Sequence, residues 1–511
     1  MPDPSFNYIP GVGLVAPLFA FEVNSGGQYE DVNRFVIFGH KTASGLISSN
    51  TPTPVGSQLE VDGLCGSGSQ LREMYRIAMQ NSPVLPVWIV ALPETGTAEV
   101  RTLKVAPFTG AGVAALEIAG EPIQVSVGAS DTPLIVAQNL TAAINAYYNS
   151  LTGAQLQWTA TAAAGTGGDV GSGIITLTCR HLGAVFSDLN IYVPASYRGN
   201  ILAQSAVFTQ TVATAGVGIP VLTSALAALG DDPADVIVSP WSDPVPAASY
   251  YAALNDASGR WSWARQSYGH VWAYASGNYS TLTTLGLTLN DRHLTLISGP
   301  AGMPTPGYLN VAGRAALEAI WLFDCNTGNV SRNQSGRIVQ GVKGPRDRST
   351  LLDYNGRNGL NQSGISTFKV DAAGNVVVDK TVTTYRLGIQ GQPDTVFRDV
   401  QSVYQVSGGL RYLRTVLADE QGQKALANTN PGSLAAISTV KDITGSFMHG
   451  YKQLCLNGVF DDYEEFVGLL VVVRDKQNRA RVNVYCPLER VAPLDIIAAN
   501  AAIYSQFPIA A

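Results

Sequence analysis

At 511 residues the chain is too long for one ordinary core, so about two to four domains are expected. An apolar content of 46% excludes a disordered protein, and a net charge of −6 argues against nucleic-acid binding, which needs a basic face. Only 14% of residues are charged; self-assembly is the simple explanation for so uncharged a surface, and solubility through neutral polar groups is the plainer alternative. Cys65, Cys179, Cys325, Cys455 and Cys486 are scattered, without a CxxC pair, which reads as reduced thiols in a cytosolic environment, with no disulfide framework and no zinc site. No leader peptide and no apolar run of membrane-spanning length is visible, so no membrane insertion is expected.

Residues 1–30 read as an extended N-terminal arm. Leu14, Val15, Phe19, Phe21 and Val23 give it an apolar run, and Pro17 excludes a helix through it. It packs on its own domain or, on the sharper reading, pairs with a neighbouring subunit. Residues 31–93 read β–α–β: a strand over 33–39, a Pro-rich connection over 51–61, a helix with Met74, Ile77 and Ala78 on one face, and a strand over 86–92. The Gly66-Ser67-Gly68 run fails both the dinucleotide and the Walker spacing, so it is read as a helix N-terminus.

From 94 to 216 the composition shifts to Ala, Thr and Gly. Strands over 114–118, 122–127, 156–160 and 173–179, a helix over 132–148 and a Gly-rich hairpin tip over 165–173 predict an inserted β-rich domain. The α/β pattern resumes over 217–325. Helices over 222–229, around Tyr250 and Leu254, over 281–289 and over 310–324 alternate with strands over 235–240, 271–275 and 293–297. With 31–93 this predicts a discontinuous, doubly wound α/β domain.

Residues 326–487 are read as a C-terminal α+β domain. Arg332, Arg337, Lys343, Arg346 and Arg348 fall in a stretch with neither helical nor strand order: a solvated loop, or a basic contact for an acidic partner. A turn over 351–359 precedes a helix, and a β-rich run over 381–387 follows. Asp394 is the expected N-cap of a helix carrying Phe397, Val400, Val403, Tyr404, Leu410, Leu413 and Leu417 on one face. Gly408-Gly409 marks a kink or a close backbone approach. Asp461, Asp462, Glu464 and Glu465 read as a solvated helix face, because no nucleophile or metal-ligand pattern accompanies them. Runs over 468–473 and 481–485 flank a turn and predict a hairpin. The apolar tail over 488–511, with Leu494, Ile496 and Ile497, is a C-terminal arm in want of a partner surface.

The five histidines, His40, His181, His270, His293 and His449, form no metal motif, and no G-x-S-x-G elbow occurs. No catalysis, cofactor or metal is expected. A hydrolase on the α/β domain, or a surface- or carbohydrate-binding protein using the inserted domain, stand as alternatives.

Several segments, in order, resemble Mu-like contractile-tail sheath proteins: Phe35 to Gly45; Gly66 to Leu71 with Met74; Ile118 to Pro122; Thr176 to Gly183; Leu229-Gly230-Asp231; Val236 to Pro240 with Asp243; Val382 to Tyr385; Gly391 to Asp394; and Leu410 to Arg414. Residues 326–348 and the tail match least. The resemblance implies a multidomain α/β and α+β subunit of the virion tail or of a phage-derived bacteriocin, assembled in the host cytoplasm. Such subunits form six-fold rings stacked into a helical sheath around a tail tube, with tube, baseplate and tail terminator proteins as partners. Contraction drives the tube through the host envelope, while terminal arms keep strands in neighbouring subunits. On this reading Leu14, Val15, Phe19, Phe21, Val23, Leu494, Ile496 and Ile497 are donated, and Leu470, Val472, Val482 and Val484 belong to the acceptor hairpin. Arg411, Arg414, Asp461, Asp462, Glu464 and Glu465 are the tube-facing charges.

Overall fold

Apolar residues dominate both faces of the strands Phe35–Gly39, Val87–Ala91, Val236–Val238, His270–Ser276 and Leu294–Gly299, the pattern of parallel strands covered on two sides. In the computed structural model, which describes residues 33–501 and 503, they form the centre of one nine-stranded sheet. Its order is Ile338–Lys343, Asn375–Lys380, Ile365–Val370, Leu294–Gly299, His270–Ser276, Val236–Val238, Phe35–Gly39, Val87–Ala91, Thr53–Val55. The strands from Ile365–Val370 through Val87–Ala91 run parallel, in a register that sets Val36 beside Ile237, Ile237 beside Val271 and Val271 beside Leu294. Helices Gln70–Asn81 and Gly307–Leu322 pack on each other and on this sheet.

The strands between residues 98 and 214 lie in two other sheets. One is antiparallel, ordered Phe208–Thr214, Ala98–Val105, Gly173–Leu182, Trp158–Ala164; the other is Glu121–Val127, Gly112–Ile118, Ile191–Tyr192. Helix Pro133–Asn145, capped by the Thr132 hydroxyl with proline in its first turn, packs on the four-stranded sheet. Strands Ala98–Val105 and Phe208–Thr214 were not expected. The first places charges, Glu99 and Arg101, at the alternate positions it shares with the buried Leu103 and Val105, and the second is exposed along most of its length, so neither has the alternating apolar signal.

Four expectations are corrected. Helix Gln58–Cys65, capped by Ser57, occupies part of the expected 51–61 connection. The basic stretch contains a strand, Ile338–Lys343. It buries Val339 and Val342, but an irregular register and Gly341 at φ +77 break its alternation. Its arginines are used within the chain: Arg332 and Arg337 stack on Trp321 at 3.8 and 4.1 Å, and Arg346 pairs with Glu117. Finally, the long helix is Val400–Gln421, capped at Asp399 rather than Asp394. The Asp394 carboxylate is taken by the Tyr385 hydroxyl at 2.6 Å and the Val396 N–H at 2.8 Å. The run over 381–387 makes isolated bridges, Thr383 to Thr295 and Val382 to Asp399, instead of a regular strand.

The same helix runs unbroken through Gly408 and Gly409, so the glycines serve close approach and not a break. A Cβ at Gly408 would meet the Cys325 sulfur, and one at Gly409 would lie 2.5 Å from the Phe460 ring. A second helix, Val440–Leu456, opens with a capping box between Thr439 and Asp442 and packs on it.

Strands Ile365–Val370 and Asn375–Lys380 are fastened by a buried ion pair. Arg314 and Glu318, 2.9 Å apart and both 0% exposed, lie one turn apart on Gly307–Leu322. Arg314 also donates to the Thr367 and Lys380 carbonyls and to the Thr381 hydroxyl, so one guanidinium joins the helix to two strands.

Candidate assembly surface

The expected hairpin is present. Val471–Arg474 pairs antiparallel with Val482–Tyr485, placing Val471 opposite Tyr485 and Val472 opposite Val484. Asp475 closes its turn, accepting from the Gln477 and Asn478 N–H groups and from the Asn483 amide. Arg474 fastens the hairpin to the preceding loop through the Asn428 side chain at 2.6 Å and the Leu426 carbonyl at 3.2 Å. A two-stranded sheet leaves a row of N–H and C=O groups facing outward on each strand and is marginal by itself. This one rests against helix Val440–Leu456.

Residues opposite each other in the ladder share a face. Val472, Val482 and Val484, with Leu470 ahead of them, are half-buried. Val471 and Val473, 50% and 49% exposed, and Tyr485 lie on the other face. Sequence alternation therefore picked out residues that share the half-buried face, Val472, Val482 and Val484, and missed the open apolar face. A run reading Val-Val-Val-Arg carries no signal for which side is covered.

The tail begins on its own subunit, not free of local partners as expected. Arg490 bridges Phe460, the Asp461 N–H donates to the Glu489 carbonyl at 2.9 Å, and the Val491 carbonyl accepts from Gln405. Leu494, Ile496 and Ile497 are exposed, the last two by 76% and 81%. Leu14, Val15, Phe19, Phe21 and Val23 of the N-terminal arm lie outside the described residues.

The six charges do not form one patch. Arg411 is 2.5 Å from Asp235 and 12% exposed, an internal tie between the long helix and the sheet. Arg414 is exposed and donates to Gln266 at 3.0 Å. Gly409 faces Phe460 from the same helix, and two residues turn it by about 200°, so Arg411 faces away from the acidic run. Asp462 sits at φ +44 as the N-cap of helix Tyr463–Leu469, accepting from the Glu465 N–H, with Glu464 and Glu465 in the first turn. The acidic run is thus a cap with first-turn carboxylates, favoured by the helix dipole.

Among the described residues, His181 and a cleft beside the central sheet hold the kind of chemistry an enzyme would use. His181 Nδ1 lies 2.5 Å from Glu94, but its Nε2 already accepts the Gln70 backbone N–H at 3.0 Å, so no lone pair is left for a substrate. A cleft of about 630 Å³ at the carboxyl ends of His270–Ser276 and Leu294–Gly299 is lined by Tyr279, Leu282, Leu351, Leu360 and Phe368. Its Arg357 is spent on Asp379 at 2.9 Å.

The chain matches the family model for the phage tail sheath protein central domain over residues 215–384. It is 28% identical over 492 residues to the Mu-like prophage FluMu tail sheath protein of Haemophilus influenzae, covering 94% of this chain and 95% of that one. A crystal structure of a sheath tail protein from Listeria innocua aligns over 90% of this chain and 93% of its own, at 13% identity and a TM-score of 0.45. A chain of the anti-feeding prophage baseplate in its contracted state aligns over 98% and 100%, at 13% identity and a TM-score of 0.39.

Proposed function

We propose that the chain belongs to the phage tail sheath family and is the structural subunit of a contractile tail sheath, which polymerises around a tail tube and contracts to drive the tube through the host cell envelope. The identity that runs along nearly the whole of a Mu-like prophage sheath protein carries this reading. The chain acts through assembly and not through catalysis. Its partners are further copies of itself in stacked six-fold rings, the tube protein, and baseplate and terminator proteins. Its place is the virion tail, after assembly in the host cytoplasm.

Within the subunit we assign 31–93 and 217–325 to one doubly wound α/β domain interrupted by an inserted domain over 94–216. Sheet membership supports this, since strands on either side of the insertion share the nine-stranded sheet. That sheet also takes Ile338–Lys343, Ile365–Val370 and Asn375–Lys380, which favours starting the C-terminal domain after Lys380 rather than at 326. Terminal arms, 1–30 and 488–511, join subunits by adding strands to a neighbour's hairpin over 471–485. The exposed Val471, Val473 and Tyr485 favour that role.

Electron microscopy of the purified chain, alone and with its tube protein, tests the reading. Striated tubes that shorten on triggering are expected. Protein that stays unpolymerised at high concentration beside its tube would overturn it.

A further inference from the structure

The C-terminal segment is fastened at one last point before it becomes exposed. Lys380, at the end of strand Asn375–Lys380, reaches two carboxylates at once: Asp399 at 2.9 Å and Asp495 on the tail. Asp399 is 4% exposed and stands at the N-cap position of the Val400–Gln421 helix, with no side-chain bond to the helix; its carboxylate takes Arg490 from the tail at 3.3 Å. The Asn333 amide donates to the Leu494 carbonyl and the Asp495 carboxylate, both at 2.9 Å. Two tail residues, Arg490 and Asp495, thus close on one buried carboxylate and one lysine at the end of a sheet strand. Immediately beyond Asp495 come the exposed Ile496 and Ile497.

We propose that Lys380, Asp399 and Asp495 form an ionic latch that sets where the C-terminal tail leaves its own subunit and aims the apolar residues beyond it at a neighbour. The Asp399 end is covered, so it persists. The Asp495 end is partly open, 29% exposed against 18% for Lys380, so salt weakens it. The latch orders the tail in the single subunit, before any partner arrives, and so lowers the ordering cost that a neighbour would otherwise meet. Only the consequence for assembly rests on the sheath reading; the latch itself does not.

Amide hydrogen exchange on the unpolymerised full chain tests it, comparing wild type with Lys380→Gln and Asp495→Asn. Amides over 491–497 are expected to exchange about threefold to fivefold faster in both variants, the scale of one partly exposed ion pair. Wild type should approach the variants near about 1 M salt, where the Debye length is about 3 Å. Strand Leu294–Gly299 reports on the fold as a whole. If Lys380→Gln loosens that strand too, Asp495→Asn, which leaves the Lys380–Asp399 pair intact, decides. Unchanged tail exchange in Asp495→Asn overturns the latch. Tube formation is scored separately. Wild type without tubes counts against the sheath reading and leaves the exchange result standing. Loosened variants that build tubes as readily as wild type overturn the aiming role.

Discussion

The centre of the nine-stranded sheet and the hairpin over 471–485 are both valine-rich β-structure, yet they end in opposite states. In the sheet, Phe35, Ile37, Val236, Val271 and Leu296 are all 0% exposed, because helices of the same chain cover the strands. In the hairpin, the valines at 471 and 473 keep half their surface open, and among the described residues each strand keeps an unpaired edge. The sheet is finished within one chain, whereas the hairpin resembles part of a core whose remainder lies elsewhere. Apolar surface removed from water contributes roughly 25 cal/mol per Å², so a neighbour's strand laid there would stabilise the contact by burial as well as by backbone pairing.

If the sheet is self-sufficient, its stability resides in contacts such as the Arg314–Glu318 pair. Arg314→Met strands a buried carboxylate and frees two strands, at a cost of about 3–5 kcal/mol. Chemical denaturation of the unpolymerised chain measures it, and a loss below about 1 kcal/mol would remove the pair from this role. A smaller effect is expected where helix meets loop. Gly409→Ala pushes a methyl group into the Phe460 ring and should cost about 1–3 kcal/mol; Phe460→Leu in the same chain should recover part of it.

The buried histidines sharpen the comparison through pH. Burial first, then the His181 ring, hold His40 down to about 4 against the opposing pull of Glu94. Burial holds His270 down to about 3. Unfolded histidine titrates near about 6.5, so below that pH the unfolded chain takes up protons that the folded chain refuses. Stability contributed by these groups is full above about 6.5 and is lost as pH falls toward 4. Unfolding midpoints followed from pH 7.5 to 4.5 should decline over that interval, and a flat profile would show that neither residue is held neutral.

The smallest effect on the fold is expected at the hairpin. Val471→Thr with Val473→Thr should change monomer stability by no more than about 0.5 kcal/mol, because both side chains already face water. Tube formation should nevertheless be lost. Tubes of normal yield from this double variant would place the assembly contact elsewhere.

Sequence by itself determined the strands with continuous apolar runs, 33–39, 86–92, 271–275 and 293–297, because burial on both faces leaves a mark in every residue. It determined the hairpin, whose two runs flank a polar turn; at Gly408 and Gly409 it left a kink and a close approach both open, and the packing against Cys325 and Phe460 decided for the latter. Helix Val440–Leu456 went unread, although Ile443, Phe447, Tyr451 and Leu454 follow the Thr439–Asp442 capping box at helical spacing. Other features were decided only by tertiary structure. Strands Ala98–Val105 and Phe208–Thr214 exist because partners pair with them, not because their own residues alternate. Arg411 reads as a surface charge until the fold brings Asp235, just ahead of a distant strand, to within 2.5 Å of it. The tail reads as wholly apolar and free until Lys380, Asn333 and Gln405, all remote in the chain, converge on it. Local patterns record what a residue's own element requires. Ion pairs and sheet edges depend on which elements meet, and that information is spread along the whole chain.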